Sequence, residues 1–238
     1  MITYLVNELY PCLQGEGPNI GKPSVLVRFQ ICNLRCSWCD TAYTHTLKSD
    51  LDEEGKAKFH RMTLEDLTNK ILSYKLFHVI LTGEEPTLQD LSYLQEALAE
   101  HQITCEVETN GTQTPHEKFP HFSFEHYDDF QWNVSPKGIN AAEKLDEEPL
   151  KFWSKLSQTH QNVFFKFVVR HEEDVSYVME LIDSFFIPRS RVYLMHEGVT
   201  LEDQSQSSLK WLTEVCLREK VNLTPRLHVI TYGALRGV

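Results

Sequence analysis

The chain has 238 residues, of which 41% are apolar, and a formal net charge of -11. That length suits one α/β domain with a sizeable core. An acidic excess of this size excludes general nucleic-acid binding, which needs clustered Lys and Arg to displace counterions, and leaves a small molecule as the expected ligand.

Residues 24–30 (SVLVRFQ) predict the first buried strand. Residues 63–74 predict a helix, with Thr63 as N-cap and Asp66 three residues on. Residues 78–82 (HVILT) predict a short strand, and residues 88–101 a helix with Leu91, Leu94 and Leu98 on one face. Strands are expected at 103–108, 131–134 and 162–170 (NVFFKFVVR). A helix over 172–185, with Val175, Val178 and Ile182 in register, precedes a strand at 191–196, a helix at 209–220 and a final strand at 226–230. Residues 45–61 are charged and aperiodic and are expected to form an inserted irregular segment; Asp128-Asp129 and residues 141–148 read as surface connections. Strands alternating with helices predict parallel βαβ units. The visible units fall short of the eight that close a TIM barrel. The expected fold is therefore α/β, an incomplete TIM-type barrel of about six parallel strands with helices outside, in a single domain spanning 1–238. No apolar run approaches the roughly 20 residues of a membrane helix. Met1 to Tyr10 carries neither the basic region nor the apolar stretch of a signal peptide. The expectation is a cytoplasmic protein with no membrane partner.

Cysteine usage carries the chemistry. Of the six cysteines, Cys105 falls in a predicted strand and Cys216 in a predicted helix, as core residues do, and Cys12 reads as a loop thiol. The other three form Cys32-Asn33-Leu34-Arg35-Cys36-Ser37-Trp38-Cys39, a C-x3-C-x2-C spacing directly after a strand. Three thiolates on one tight loop can hold three irons of a cubane cluster and leave the fourth iron open. The alternatives are a zinc site completed by His45 or a distant cysteine, a redox pair of Cys36 and Cys39, or inert buried thiols.

This triplet resembles the signature of the radical S-adenosylmethionine superfamily, and its neighbours narrow the resemblance. Leu13-Gln14-Gly15-Glu16-Gly17 precedes the first strand, Arg28 lies on it, and Cys39-Asp40-Thr41 closes the cysteine loop. Thr82-Gly83-Glu84-Glu85-Pro86, Glu108-Thr109-Asn110-Gly111-Thr112 and Ser135-Pro136-Lys137 follow successive strands, and the chain ends Arg236-Gly237-Val238. The ordered set is similar to the 7-carboxy-7-deazaguanine synthase family from near the N-terminus to the last residue, with little likeness over 50–61 and 113–130.

The resemblance implies a 4Fe–4S cluster on Cys32, Cys36 and Cys39, with S-adenosylmethionine and Mg2+ as further cofactors. It implies ring contraction of 6-carboxy-5,6,7,8-tetrahydropterin to 7-carboxy-7-deazaguanine with loss of ammonia, for queuosine or deazapurine synthesis. It also implies a homodimer and an electron donor such as flavodoxin or ferredoxin. S-adenosylmethionine contacts are implied for Trp38, Cys39, Asp40, Glu84, Ser135, Pro136 and Lys137, and a Mg2+ contact for Thr41, whose hydroxyl is a hard oxygen ligand. Substrate contacts are implied for Leu13, Gln14, Gly15, Arg28 and Thr82. Gln14 offers the donor and acceptor that a pterin edge needs. Arg28 can grip a carboxylate with two prongs. Within an apolar strand, Arg28 also needs a partner, and Glu16 is a candidate for that role or for a further substrate contact. Glu85, Glu108, His228 and the carboxylate of Val238 are further candidates. Where the family pattern reads Thr-Gly-Gly-Glu-Pro, this chain has Glu84 at the second glycine. A side chain there crowds the cofactor's approach to the backbone unless Glu84 points to solvent. A runner-up, an activase that makes a glycyl radical on another protein, would use the same triplet without the LQGEG segment and Arg28.

Overall fold

The computed structural model describes every residue except 49, 50, 54, 57 and 238. β1 (Thr3–Leu13) runs antiparallel to both β2 (Pro23–Phe29) and β3 (His60–Thr63). From β2 onward the strands are parallel: β4 (His78–Gly83), β5 (Thr104–Thr109), β6 (Phe130–Val134), β7 (Val163–Val169), β8 (Val192–His196) and the two-residue β9 (Asn222–Leu223). Among the described residues the order is β3-β1-β2-β4-β5-β6-β7-β8-β9, and the sheet does not close. Six full parallel strands and a short seventh match the expected incomplete barrel.

The helices are α1 (Leu64–Ser73), α2 (Ser92–Ala99), the single turns α3 (Pro115–Lys118) and α4 (His126–Asp129), α5 (Glu147–Thr159), α6 (Glu172–Ser184), α7 (Gln206–Glu219) and α8 (Leu227–Tyr232). Period-two alternation along the strands gives the sheet two unlike faces. Val25, Val27 and Phe29 of β2, Val79 and Leu81 of β4, and Phe165, Phe167 and Val169 of β7 join one apolar cluster with Leu67 and Ile71 of α1 and Leu94 and Leu98 of α2. Each such side chain taken fully out of water contributes roughly 1.5–3 kcal/mol. The residues between them, Leu26 and Arg28, Ile80 and Thr82, Lys166 and Val168, line a cavity on the opposite face.

The ends of the open sheet are tied by loops rather than by a strand ladder. Gly17 N donates to Thr224 Oγ1 at 2.7 Å, and Leu227 N donates to Gly15 O at 2.9 Å, so the chain leaving β1 is bonded to the chain leaving β9.

Several expectations are corrected. β1 was not foreseen, because its residues are mostly half-exposed and show no clean alternation. Cys12 is therefore a strand residue rather than a loop thiol. α5 begins inside the stretch read as a connection; Leu150, Trp153 and Leu156, buried on one face, were its signal. The predicted strand at 226–230 is instead the turn of α8, since β9 has already taken the sheet edge and the chain after Pro225 turns back toward Gly15. The irregular segment ends in order, with His60 and Arg61 paired to β1 in β3; residues 49, 50, 54 and 57 of it lie outside the described set. The helix expected from 88 starts only at Ser92, after a 3-10 turn over Pro86–Leu88. Thr63 caps α1 as read, its hydroxyl accepting from Asp66 N at 3.1 Å.

Gly83 is where the backbone has no latitude. Its φ is +98°, and a Cβ there would lie 2.5 Å from Phe29 N and 2.6 Å from Phe29 O. Gly83→Ala is expected to cost about 3 kcal/mol from overpacking and the left-handed backbone together. Chemical denaturation measures this, and a loss under about 1 kcal/mol would contradict the close approach.

Candidate active site

Loops leaving the C-terminal ends of the parallel strands converge on one cavity of about 540 Å³. After β2 the chain turns at Ile31, whose φ of +84° is unusual for a β-branched residue. The turn is held by Ile31 N to Thr44 O at 2.9 Å and Cys32 N to His45 O at 3.2 Å. The loop then docks on the segment after β6. Ser37 N donates to Ala141 O at 3.0 Å, and the Trp38 indole donates to Asn140 O at 2.8 Å. Lys137 Nζ lies 5.3 Å over the Trp38 ring and donates to Ser135 Oγ at 2.6 Å.

Cys32, Cys36 and Cys39 are unbridged, half-buried and line this cavity. Burial pushes the Cys32 thiol up to about 12 and raises those of Cys36 and Cys39. A thiol raised in this way is a weaker nucleophile than the low-pKa cysteine of a redox pair. The donors around them suit sulfur ligands of a cluster. Leu34 N donates to Cys32 Sγ at 3.3 Å, Asn110 Nδ2 is 3.8 Å from the same sulfur, and His45 Nε2 is 3.2 Å from Cys39 Sγ. The other described cysteines lie in β1, β5 and α7, and of these Cys12 also lines the cavity. Thr41 Oγ1 lies 3.7 Å from Cys39 Sγ on the cavity wall.

Glu84 does not point to solvent. Its side chain is 1% exposed, one oxygen bonded to Thr44 Oγ1 and the other 3.4 Å from His45 Nε2. Burial, opposed by the Thr44 and Cys32 hydrogen bonds, raises its carboxyl above the usual range. Because Gly83 makes the tight turn, position 84 can carry a side chain. Glu85 is fully engaged with protein: it accepts from Thr109 Oγ1 and Asn110 N, each at 2.7 Å, and from Thr87 N at 3.0 Å. It therefore ties the end of β4 to the end of β5 and, like Pro136, does not line the cavity.

The expected pairing of Glu16 with Arg28 is not made. Arg28 Nε is bonded to Glu8 Oε2 at 2.6 Å, across the β1–β2 ladder where the two residues face each other. Glu8 also receives Arg236, whose guanidinium sits 3.6 Å over the Tyr43 ring. Glu16 instead binds Lys166 Nζ at 2.6 Å and Arg226 Nε at 3.1 Å. Burial alone would raise the Glu16 carboxyl, but these two cations outweigh it and hold it far below the usual range. Lys166 reaches Glu108 at 2.7 Å, and Arg226 reaches Asp40 and Gly198 O. An ion chain thus runs Asp40–Arg226–Glu16–Lys166–Glu108. Gln14 donates to Glu106 and stands 3.4 Å from Glu108. Leu13, Gly15 and Thr82 also line the cavity. A Cβ on Gly15 would fall 2.3 Å from His228 Nδ1, so glycine lets α8 bring His228 to the wall. Val238 lies outside the described residues.

Glu8, Tyr43, Lys166 and Arg226 were not read from the sequence. A lone lysine in the apolar run FFKFVV was the available signal for Lys166, by the same reasoning that picked out Arg28. Nothing local marked Arg226.

Residues 26–140 match the family model described as the radical SAM superfamily. The chain is 33% identical over 235 residues to a 7-carboxy-7-deazaguanine synthase of Pyrobaculum aerophilum, covering 98% of this chain and 96% of that one. It is 33% identical to the like-named protein of Hyperthermus butylicus, covering 94% and 91%. The crystal structure of QueE from Escherichia coli superposes with a TM-score of 0.71 at 25% identity, covering 95% of both chains.

Lys166→Met leaves Glu16 and Glu108 facing each other without their shared cation. Breaking a buried ion pair this way is expected to cost about 3–5 kcal/mol in chemical denaturation. A cost below about 1 kcal/mol would show that the chain of charges does not hold the cavity wall.

Proposed function

The chain belongs to the 7-carboxy-7-deazaguanine synthase family of radical S-adenosylmethionine enzymes, and from that membership we propose that it contracts the ring of 6-carboxy-5,6,7,8-tetrahydropterin to 7-carboxy-7-deazaguanine with loss of ammonia. The observation that carries the reading is that one cavity is lined both by the three thiols, Cys32, Cys36 and Cys39, and by Gln14, Arg28 and Glu108. When bound, a 4Fe–4S cluster with S-adenosylmethionine would supply the radical that starts the reaction.

The chain's own residues do the rest. Arg28 is oriented by Glu8 toward the cavity, where its guanidinium can take the substrate carboxylate. Gln14 and Glu108, held by Glu106 and Lys166, offer the acceptors that the amino-pyrimidine edge of a pterin requires. Leu13, Gly15 and Thr82 complete the substrate wall, with Glu16 and His228 beside them. Trp38, Asp40, Ser135 and Lys137 face the cofactor. Asp40 is pinned by Arg226, and Pro136 shapes the turn that presents Lys137. Glu84 contributes its backbone there, its carboxylate being committed to Thr44 and His45. Thr41, on the cavity wall, would offer a hydroxyl to Mg2+, a cation that takes hard oxygen ligands. Burial lowers the Lys137 ammonium. That cost is one a cofactor carboxylate would offset.

No described helix is long and apolar enough to cross a membrane. The protein is read as a cytoplasmic homodimer that acts as one domain over residues 1–238 and draws its electron from a flavodoxin or ferredoxin. One continuous sheet and one apolar cluster support the single domain.

Anaerobic reconstitution, followed by incubation with carboxytetrahydropterin, S-adenosylmethionine, Mg2+ and a reductant, is expected to yield 7-carboxy-7-deazaguanine by liquid chromatography and mass spectrometry. No product from cluster-loaded protein would overturn the assignment. Arg28→Ala is expected to lower kcat/KM on the order of 100-fold, the size of a lost charge-assisted contact to a carboxylate. An unchanged kcat/KM would remove Arg28 from the substrate site.

A further inference from the structure

His45 has been given no role in the reaction, yet its ring nitrogen sits against a cysteine of the triplet. Nε2 lies 3.2 Å from Cys39 Sγ and 3.4 Å from Glu84 Oε2. With Cys39 as a thiolate, that nitrogen has an acceptor 3.2 Å away, so the single proton of a neutral ring belongs on Nε2. The placement is fixed from both sides. His45 O accepts from Cys32 N at 3.2 Å, and the neighbouring Thr44 O accepts from Ile31 N at 2.9 Å. Next to the same ring nitrogen, Glu84 is shut off from water and tied to Thr44 Oγ1. The histidine is thus held by the same loop that carries the cysteines.

We propose that His45 is a positioning residue that donates an N–H···S hydrogen bond to the thiolate of Cys39 and thereby sets how readily the cluster on Cys32, Cys36 and Cys39 accepts an electron; the inference rests on the cluster reading above. Hydrogen bonds to cluster sulfurs favour the more negative, reduced form and raise the reduction potential. Removing the donor leaves the three ligands in place but makes the cluster harder to reduce. Glu84 then packs beside the ring nitrogen, its other oxygen held by Thr44.

The test compares wild type, His45→Phe and His45→Met, which have no donor, and His45→Gln, which keeps one. All are reconstituted anaerobically, iron and zinc are counted, and the midpoint is read by titration followed by electron paramagnetic resonance. The expected result is equal iron in all four, a more negative midpoint in the Phe and Met variants, and a value between these and wild type for Gln. Two donor-free variants keep the test standing should one of them not fold. Equal midpoints in loaded proteins would overturn the inference. So would loss of iron from both donor-free variants, which would make His45 a ligand or a purely structural residue. Zinc in wild type, bound by Cys39, His45 and Glu84, whose ligand atoms lie within 4.8 Å of one another, would overturn it as well. Wild type that takes up no iron would instead overturn the cluster reading itself.

Discussion

A carboxylate this deep in a protein stays ionised only if it is paired on every side that water has left, and Glu16 meets that condition with Lys166 at 2.6 Å and Arg226 at 3.1 Å. The three residues come from the loop after β1, from the middle of β7 and from the chain after β9. Their bonds, together with those of Gly15 and Gly17, join the parts of the sheet that strand pairing leaves apart. The arrangement of the cavity follows from that junction. Arg226 fixes Asp40 at the end of the cysteine loop, and Lys166 fixes Glu108 beside Gln14. One set of charges therefore places both the groups assigned to the cofactor and those assigned to the substrate.

The sheet makes room for such a junction by keeping its two faces distinct. Valine, leucine and phenylalanine at alternate positions go to the helices, where burial stabilises the fold. The intervening positions turn inward, and there the chain places Arg28, Thr82, Glu106, Glu108, Asn133 and Lys166. Each of these except Thr82 has a charged or amide partner among the described residues. A polar lining of this kind suits a substrate rich in donors and acceptors.

The parallel strands are legible in the sequence because they are short, β-branched and bounded by turn residues. The triplet is legible because three cysteines within eight positions have the spacing of metal ligands on a loop, not of residues on one face of a strand or helix. Whatever depends on distant partners stays hidden. Glu16 and Arg226 are 210 residues apart, and no local pattern links them. An apolar strand marks Arg28 as needing a partner, but register across the β1–β2 ladder, which no local pattern displays, supplies Glu8 rather than Glu16. The residues of α8 are β-branched enough to read as a strand, and only the occupied sheet edge turns them into a helix. Glu84 was recognised as a departure from pattern; its resolution needed the positive φ of Gly83 and the hydroxyl of Thr44, neither of which a sequence displays.

The central claim is that three cysteines hold a cluster whose fourth iron is open to S-adenosylmethionine. It is tested most directly by the electron paramagnetic resonance spectrum of the reduced, reconstituted protein before and after adding S-adenosylmethionine labelled with 17O in its carboxylate. An open iron predicts a changed spectrum and a hyperfine coupling to the label. A spectrum that is unchanged and shows no coupling would mean that the fourth site is already filled, and would contradict the account.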